Sequence, residues 1–253
     1  MQRPLILLAL SSALTTGIAS AAEVKIAKDM PFAQEDIANA KVINTGIDYA
    51  LNKLGSKAVA HVDLKQDATY GFSANISKEK GSFRLGVLTA DLQAALQAGN
   101  REVSQQASAA LLHGLETLNA PAPLVNATGN LSVALLGNID MKATEKLISA
   151  LLYPQLMAFI EAQGNTNHFY LGQWAETLNL SVAVKTADEK ADVATGLIAM
   201  ASSFTKSLTG KAELPAGVFN ALGELSALAA KPSLGPRELL MIQSATATLK
   251  SLL

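Results

Sequence analysis

The chain of 253 residues contains no cysteine. This absence excludes a disulfide framework, a thiolate metal site and haem attachment through cysteine. Charged residues make up only 16% of the chain and hydrophobic residues 49%, a balance that argues against intrinsic disorder. A chain of this length can bury a substantial core. We therefore expect a folded protein that is stabilised by its core rather than by disulfide bonds.

The first 21 residues have the pattern of a cleaved secretory signal peptide. Basic Arg3 precedes an apolar run, and the small residues Ala19, Ser20 and Ala21 form an Ala-x-Ala cleavage site. The alternative is a retained membrane anchor, but serine and threonine interrupt the apolar run, and it is shorter than the roughly 20 residues of a spanning helix. We therefore predict a periplasmic or secreted protein whose mature chain is residues 22–253.

The mature chain has no excess of either charge. The whole sequence has 20 basic and 21 acidic residues, and removal of the signal peptide leaves 19 and 21, a net charge of −2. This balance gives no electrostatic reason to expect nucleic acid or an anionic membrane as a partner. The best mature hydrophobic run, residues 147–160, contains Pro154 and is too short for a transmembrane segment, which needs about 20 residues.

Alanine and leucine dominate the chain, while aromatic residues make up 5%, a composition that favours helices. Apolar residues recur at three- and four-residue steps in residues 35–55 and 140–163, where Pro154 should introduce a kink. The region 58–83 alternates partly between polar and apolar residues, and here a short helix with a loop is favoured over a hairpin. We thus assign an N-terminal helix and an irregular segment to residues 35–82.

Two pairs of segments resemble each other in the same order along the chain. "SFRLGVLTADLQAAL" from Ser82 shares a Phe-x-Leu-Gly frame with "HFYLGQWAETLNLSV" from His168, at an offset of 86 residues. "PAPLVNATGNLSVAL" from Pro121 matches "PAGVFNALGELSALA" from Pro215 at an offset of 94. Chance similarity between helices rich in alanine and leucine is the alternative. We predict a duplication.

The predicted fold class is all-α, a compact multi-helix bundle built from two tandem pseudo-symmetric repeats in one domain. Repeat 1 covers residues 83–163 and repeat 2 covers residues 169–252. The helices are expected at about 83–98, 101–118, 122–137, 140–163, 169–185, 188–208, 215–230 and 236–252.

Four residues shared by the two repeats have a physical interpretation. A glycine inside a helix costs about 1 kcal/mol relative to alanine, so Gly86 and Gly172 either permit close approach of another helix or mark a helix start. Pro121 and Pro215 are predicted helix entries, because the first turn does not need the amide hydrogen that proline lacks.

The sequence carries no strong catalytic or metal-binding motif. There are three histidines, and none follows a glutamate at the spacing of a di-iron bundle. A Gly-x-Ser-x-Gly elbow and a glycine-rich phosphate loop are also missing. We predict no metal, no cofactor and no catalytic residue, and the sequence favours a non-enzymatic protein. An enzyme of unrecognised class would need an ionisable cluster, either His61, Asp63 and Asp67 or His113 and Glu116.

The segment "HFYLGQW", residues 168–174, contains the single tryptophan. Its phenylalanine, leucine and glycine belong to the frame shared by both repeats, so His168, Tyr170, Gln173 and Trp174 are what is specific to this copy. Tyr170 and Trp174 lie one helical turn apart and could close over a ligand, although packing between helices is the alternative. We predict these four residues as the ligand-binding site.

Together these features predict an exported helical protein that acts as a non-enzymatic binding module. The expected partner is a small apolar or amphipathic ligand or an envelope protein, and the chain could also form a homo-oligomer. The alternative is a structural or assembly protein of the cell envelope. An enzyme of unrecognised class is the least favoured interpretation.

Overall fold

The computed structural model describes residues 40–64, 71–137, 139–187, 194–209, 214–231 and 233–253. Every regular element in these ranges is helical, which confirms the all-α class. The elements are α1 (Ala40–Leu54), α2 (Ser56–Val59), α3 (Lys78–Gln97), α4 (Arg101–Thr117), α5 (Ala122–Leu135), α6 (Met141–Leu147), a π turn (Ile148–Leu152), α7 (Tyr153–Ala162), α8 (Thr166–Ala187), α9 (Ala194–Ile198), α10 (Ala201–Leu208), α11 (Ala216–Ala229) and α12 (Pro236–Leu252).

The predicted signal peptide, residues 1–21, lies outside the described residues, as does the start of the predicted N-terminal helix at residues 35–39. In the part of the chain that is described, no helix combines the length and the apolar character that a membrane span requires.

The two longest helices, α3 and α8, form the core of the described structure. They share the largest helix–helix interface, and α1, α4 and α12 pack around them. Buried residues lie on all sides of α3, including Phe83, Leu85 and Leu92. Phe169 and Leu171 of α8 are also fully buried. A helix whose buried residues lie on all sides belongs in the interior, and α3 and α8 occupy that position here.

Helices α3 and α8 meet at Gly86 and Gly172. A Cβ atom added at Gly86 would lie 2.0 Å from the carbonyl oxygen of Phe169, and one added at Gly172 would lie 2.0 Å from the carbonyl oxygen of Phe83. Only the absence of a side chain permits backbones to approach so closely. The prediction that these glycines admit a neighbouring helix is confirmed, and a helix start at either glycine is wrong because both lie inside their helices.

The two shared prolines act as predicted at helix entries. Pro121 directly precedes α5 with φ −55° and ψ 138°, and Pro215 directly precedes α11 with φ −53° and ψ 138°. The pyrrolidine ring fixes φ near this value and removes an amide hydrogen that would have no partner in the first turn. The same local conformation therefore precedes α5 and α11.

Three predicted helices differ most from the structure. Helix α3 begins five residues before position 83, because Ser77 caps it by accepting a hydrogen bond from the Lys80 amide at 3.3 Å. The predicted helix 140–163 is divided into α6, the π turn and α7. The described part of the predicted helix 188–208 consists of α9 and α10, which are separated at residues 199–200.

The π turn lies directly before Pro154, at the predicted kink. The amide of Tyr153 donates to the carbonyl of Ile148, five residues earlier. Proline cannot donate a helical hydrogen bond, and its ring clashes with the carbonyl four residues before it. A wider turn accommodates this conflict, so the helix axis continues with a local bulge instead of ending.

Candidate functional site

The four predicted site residues all lie on α8 and all are buried. His168 is 6% exposed, Tyr170 3%, Gln173 1% and Trp174 0%. The two cavities described below are lined by other residues of the described structure. A ligand could reach these four side chains only if neighbouring helices moved away, so their role in binding stays a prediction.

The aromatic rings of this segment pack against protein neighbours. The indole N–H of Trp174 donates to the Leu197 carbonyl at 2.7 Å, and its ring centroid is 5.1 Å from that of Phe204. The Tyr170 ring meets Phe169 edge-on at 5.8 Å. Buried tryptophan normally finds a partner for its N–H in this way. These contacts attach α8 to α9 and α10.

His168 and Gln173 are buried polar groups. Burial lowers the pKa of His168, although the charge of Glu79 opposes this effect, and the imidazole is therefore held in its neutral form. Gln173 Oε1 accepts a long hydrogen bond of 3.4 Å from the Tyr153 hydroxyl. Tyr153 itself lines a cavity, so Gln173 lies directly behind that cavity wall.

Substitution of Trp174 by phenylalanine tests how much this packing contributes. We expect the free energy of unfolding to fall by about 2 kcal/mol, because ring volume and a buried hydrogen bond are lost. Urea denaturation followed by circular dichroism measures the change. Tyr49→Phe, at a residue 48% exposed, is the control and should unfold like the wild type. An unchanged midpoint in Trp174→Phe would mean that the indole is not held as described.

The larger of the two cavities is a cleft of about 690 Å³, part of it open to solvent. Helices α1, α3, α4, α6 and α7 and the π turn form its walls. Its inner surface consists of buried leucines, which we call the leucine floor: Leu92, Leu96, Leu111, Leu152 and Leu156. This volume includes space that is open to solvent, so the space a ligand could fill between the helices is smaller.

The π turn forms part of the outer wall of the cleft. Ile148, Ser149 and Leu152 of this turn line the cavity. The extra residue that a π bulge inserts rotates the following side chains relative to a regular helix. Pro154, through the bulge that precedes it, therefore determines which side chains the cleft presents.

The cleft rim is polar and acidic. Asp48 from α1 and Glu145 from α6 line it together with Asn52 and Ser149, and none of the described lining residues is basic. Loss of solvent around the carboxyl, reinforced by the negative charge of Glu145, raises the pKa of Asp48 to about 6. The rim is therefore short of positive charge.

Two glutamine oxygens add to this acceptor-rich character. Gln93 and Gln97 of α3 line the cleft, and the Oε1 atom of each is buried without a hydrogen-bond partner in the described structure. A buried acceptor that lacks a donor costs free energy. A ligand that carries donors would satisfy both oxygens if the two side chains turned toward the cleft.

A second polar feature joins α3, α8 and α12. Lys250 Nζ lies 2.6 Å from Glu176 Oε2, and Asp91 shares a hydrogen bond with Glu176. Asp91 is 3% exposed and Glu176 1%. Burial, followed by the charge of Glu176, raises the pKa of Asp91 well above its usual range. Its environment therefore favours the neutral carboxyl beside an ion pair, and Asp91 lines a smaller cavity together with Asp63 and Arg84.

The structure describes the ionisable residues expected for an enzyme only in part. His61 and Asp63 are exposed, and Asp67 lies outside the described ranges. His113 packs edge-on against Phe72 at 6.4 Å. Across the described ranges no three histidine, cysteine, aspartate or glutamate side chains are grouped as a metal site would require.

The sequence analysis did not identify the cluster of Asp91, Glu176 and Lys250. A signal was present in the sequence, since each is an isolated charge within an apolar helical stretch: "LTADLQAAL", "QWAETLNL" and "ATLKSLL". Charged residues are almost never fully buried unless paired. Single charges in such stretches therefore indicate partners on other helices.

The described structure is an all-helical bundle whose central helices cross at facing glycines and whose α1–α3–α7 side holds an amphipathic cleft. No protein-family model, curated protein or solved structure matches this chain. The function must therefore be inferred from the geometry and chemistry of the cleft.

Proposed function

We propose that this protein is an exported, non-enzymatic binding module that holds a small amphipathic molecule in the cleft between α1, α3, α6 and α7. The observation that carries the proposal is the combination of the leucine floor with a polar rim in one cavity of about 690 Å³. An apolar chain would lie on the floor, while a polar head group would remain at the rim. The proposed periplasmic or secreted location rests on the signal-peptide pattern of residues 1–21.

The apolar surface that a ligand buries against the leucine floor determines the expected affinity. Each methylene group removed from water contributes roughly 0.8 kcal/mol. A chain of about eight carbons thus offers several kcal/mol, part of which offsets the loss of translational and rotational freedom on binding. We expect dissociation constants in the micromolar range or weaker for simple probes. Such affinities suit reversible capture and release.

Binding of the neutral dye N-phenyl-1-naphthylamine tests the proposed cleft. Its fluorescence should rise on addition of the protein and saturate, because the dye enters an apolar environment. Ser149→Trp places a large ring at the rim, at an exposed position that lines the cleft, and should weaken dye binding by about tenfold, or about 1.4 kcal/mol.

Ala150→Trp is the matched control, because Ala150 is the next residue of the same π turn, is exposed and is not part of the cleft lining. It should bind the dye like the wild type. Equal binding by both tryptophan variants, or no saturable binding by the wild type, would count against the cleft as the ligand site.

We also propose that the two halves of the bundle arose by duplication. The sequence offset of 86 residues pairs Phe83 with Phe169 and Gly86 with Gly172. In the contact between α3 and α8, Gly86 lies against the carbonyl of Phe169, and Gly172 lies against the carbonyl of Phe83. The matching conformations of Pro121 and Pro215 also support the proposal. In this interpretation the cleft belongs to repeat 1 and the N-terminal helix.

A second candidate function is docking onto another component of the cell envelope. It is favoured by large apolar side chains at the surface, namely Val133 at 67%, Leu136 at 69% and Leu240 at 66% exposure. Scattered exposed apolar residues are common in monomeric proteins. The cleft, which combines the leucine floor with a polar rim, is therefore the better supported site.

A further inference from the structure

We propose that the ligand of the cleft carries a cationic head group with N–H donors, as in a primary alkylamine, which binds between Asp48 and Glu145 while its apolar chain lies on the leucine floor. This inference deepens the proposed function and rests on it. It names the chemical class of the ligand.

The charge distribution of the cleft is the first argument. Asp48 and Glu145 come from different helices, α1 and α6, and meet at the rim of one cavity. Burial raises the pKa of Asp48, and the negative charge of Glu145 adds to that rise. With no basic residue among the described lining residues, a cation entering the rim would relieve this repulsion.

The buried glutamine oxygens are the second argument, independent of the carboxylates. Gln93 and Gln97 lie one turn apart on α3, and their buried Oε1 atoms accept no hydrogen bond in the described structure. An ammonium group offers three N–H donors and no acceptor. An anionic or purely accepting head group would leave both oxygens unsatisfied and would meet two carboxylates. The cleft therefore selects against fatty acids and favours amines.

The titration of Asp48 should make the affinity of the cleft for an amine depend on pH. The titratable residues of the described lining are Asp48, Glu145 and Tyr153, and Glu145 is the charged group that acts on Asp48. Asp48 has a pKa of about 6, so its carboxylate forms as the pH rises through that value. An alkylamine remains protonated across this range, because its pKa resembles that of lysine, about 10.4. Affinity for the amine should thus increase between pH 5 and pH 7.5.

Isothermal titration calorimetry with octylamine, octan-1-ol and octanoate separates head group from chain. At pH 7.5 we expect octylamine to bind about tenfold more tightly than octan-1-ol, a difference typical of one or two charge-assisted hydrogen bonds. Octanoate should bind more weakly than either. The double variant Asp48→Asn, Glu145→Gln should lose the preference for the amine, keep its affinity for octan-1-ol, and bind octylamine equally at pH 5 and pH 7.5.

Glu161→Gln is the control for the charge change, because Glu161 is exposed on α7 and is not part of the cleft lining. It should retain the preference for octylamine. If octan-1-ol binds as tightly as octylamine, or if the preference persists in the double variant, the head-group inference is wrong while the proposed function stands. If none of the three compounds nor the naphthylamine dye binds the wild type, the proposed function fails and the inference fails with it.

Discussion

Gly86→Ala is expected to lower the free energy of unfolding by more than about 4 kcal/mol, a loss that few single substitutions cause. The added Cβ would lie 2.0 Å from the Phe169 carbonyl oxygen and 2.9 Å from the Gln173 amide nitrogen. These are backbone atoms of a buried helix and cannot rotate away, so α3 and α8 would have to separate. Since the total stability of a protein is typically about 5–15 kcal/mol, this loss would remove a large share of it. Urea denaturation followed by circular dichroism measures the effect.

Gly223→Ala is the matched control within the same protein. Gly223 lies inside α11, and a Cβ added there meets no atom within 4 Å. Alanine is the better helix former by roughly 1 kcal/mol, so this variant should unfold at a higher urea concentration than the wild type. If Gly86→Ala were to unfold at the wild-type midpoint, the close contact of α3 with α8 would be wrong.

Lys250→Met is expected to cost about 3–5 kcal/mol, the usual loss when one partner of a buried ion pair is removed. The methionine keeps most of the side-chain volume but leaves the Glu176 carboxylate, 1% exposed, without its cation at 2.6 Å. Asp91 also shares a hydrogen bond with that carboxylate and would then face it without Lys250. Equilibrium unfolding in urea at pH 7 checks the loss.

Two further variants distinguish the stability effect of the unpaired Glu176 charge from the effect of losing a lysine side chain. Adding Glu176→Gln to Lys250→Met removes the orphaned charge and should recover much of the stability. Lys231→Met breaks a pair of the same length, 2.6 Å to Glu238, but Lys231 is 47% exposed, so this midpoint should hardly move. Equal losses in Lys231→Met and Lys250→Met would show that burial of the Glu176 pair is not what matters.

The local signals of the sequence predicted the elements that depend on neighbouring residues. Helix α12 was predicted at its observed bounds, since Pro236 starts it and apolar residues recur along it. The entries at Pro121 and Pro215 also followed from chemistry within the first turn. The start of α3 was missed because its cap, Ser77, lies in the segment that lacks a clear period.

Features that depend on distant residues could not be read in this way. The break between α9 and α10 coincides with the Leu197 carbonyl, which accepts from Trp174 and from the Met200 amide. No sequence pattern near residue 197 predicts that contact. The cleft escaped prediction for the same reason, since its lining comes from five helices and the π turn, with no local motif. The aromatic cluster around Trp174 was conspicuous locally, yet the described structure uses it for packing.

The close contact of Gly86 with Gly172 also has a mechanical consequence. Two helices whose backbones interlock at one point cannot slide past each other without a severe steric clash. α3 and α8 thus form one rigid unit. The side of the cleft that α3 lines belongs to this unit. The outer wall of the cleft, by contrast, includes the π turn, where the regular helical hydrogen-bond pattern is interrupted.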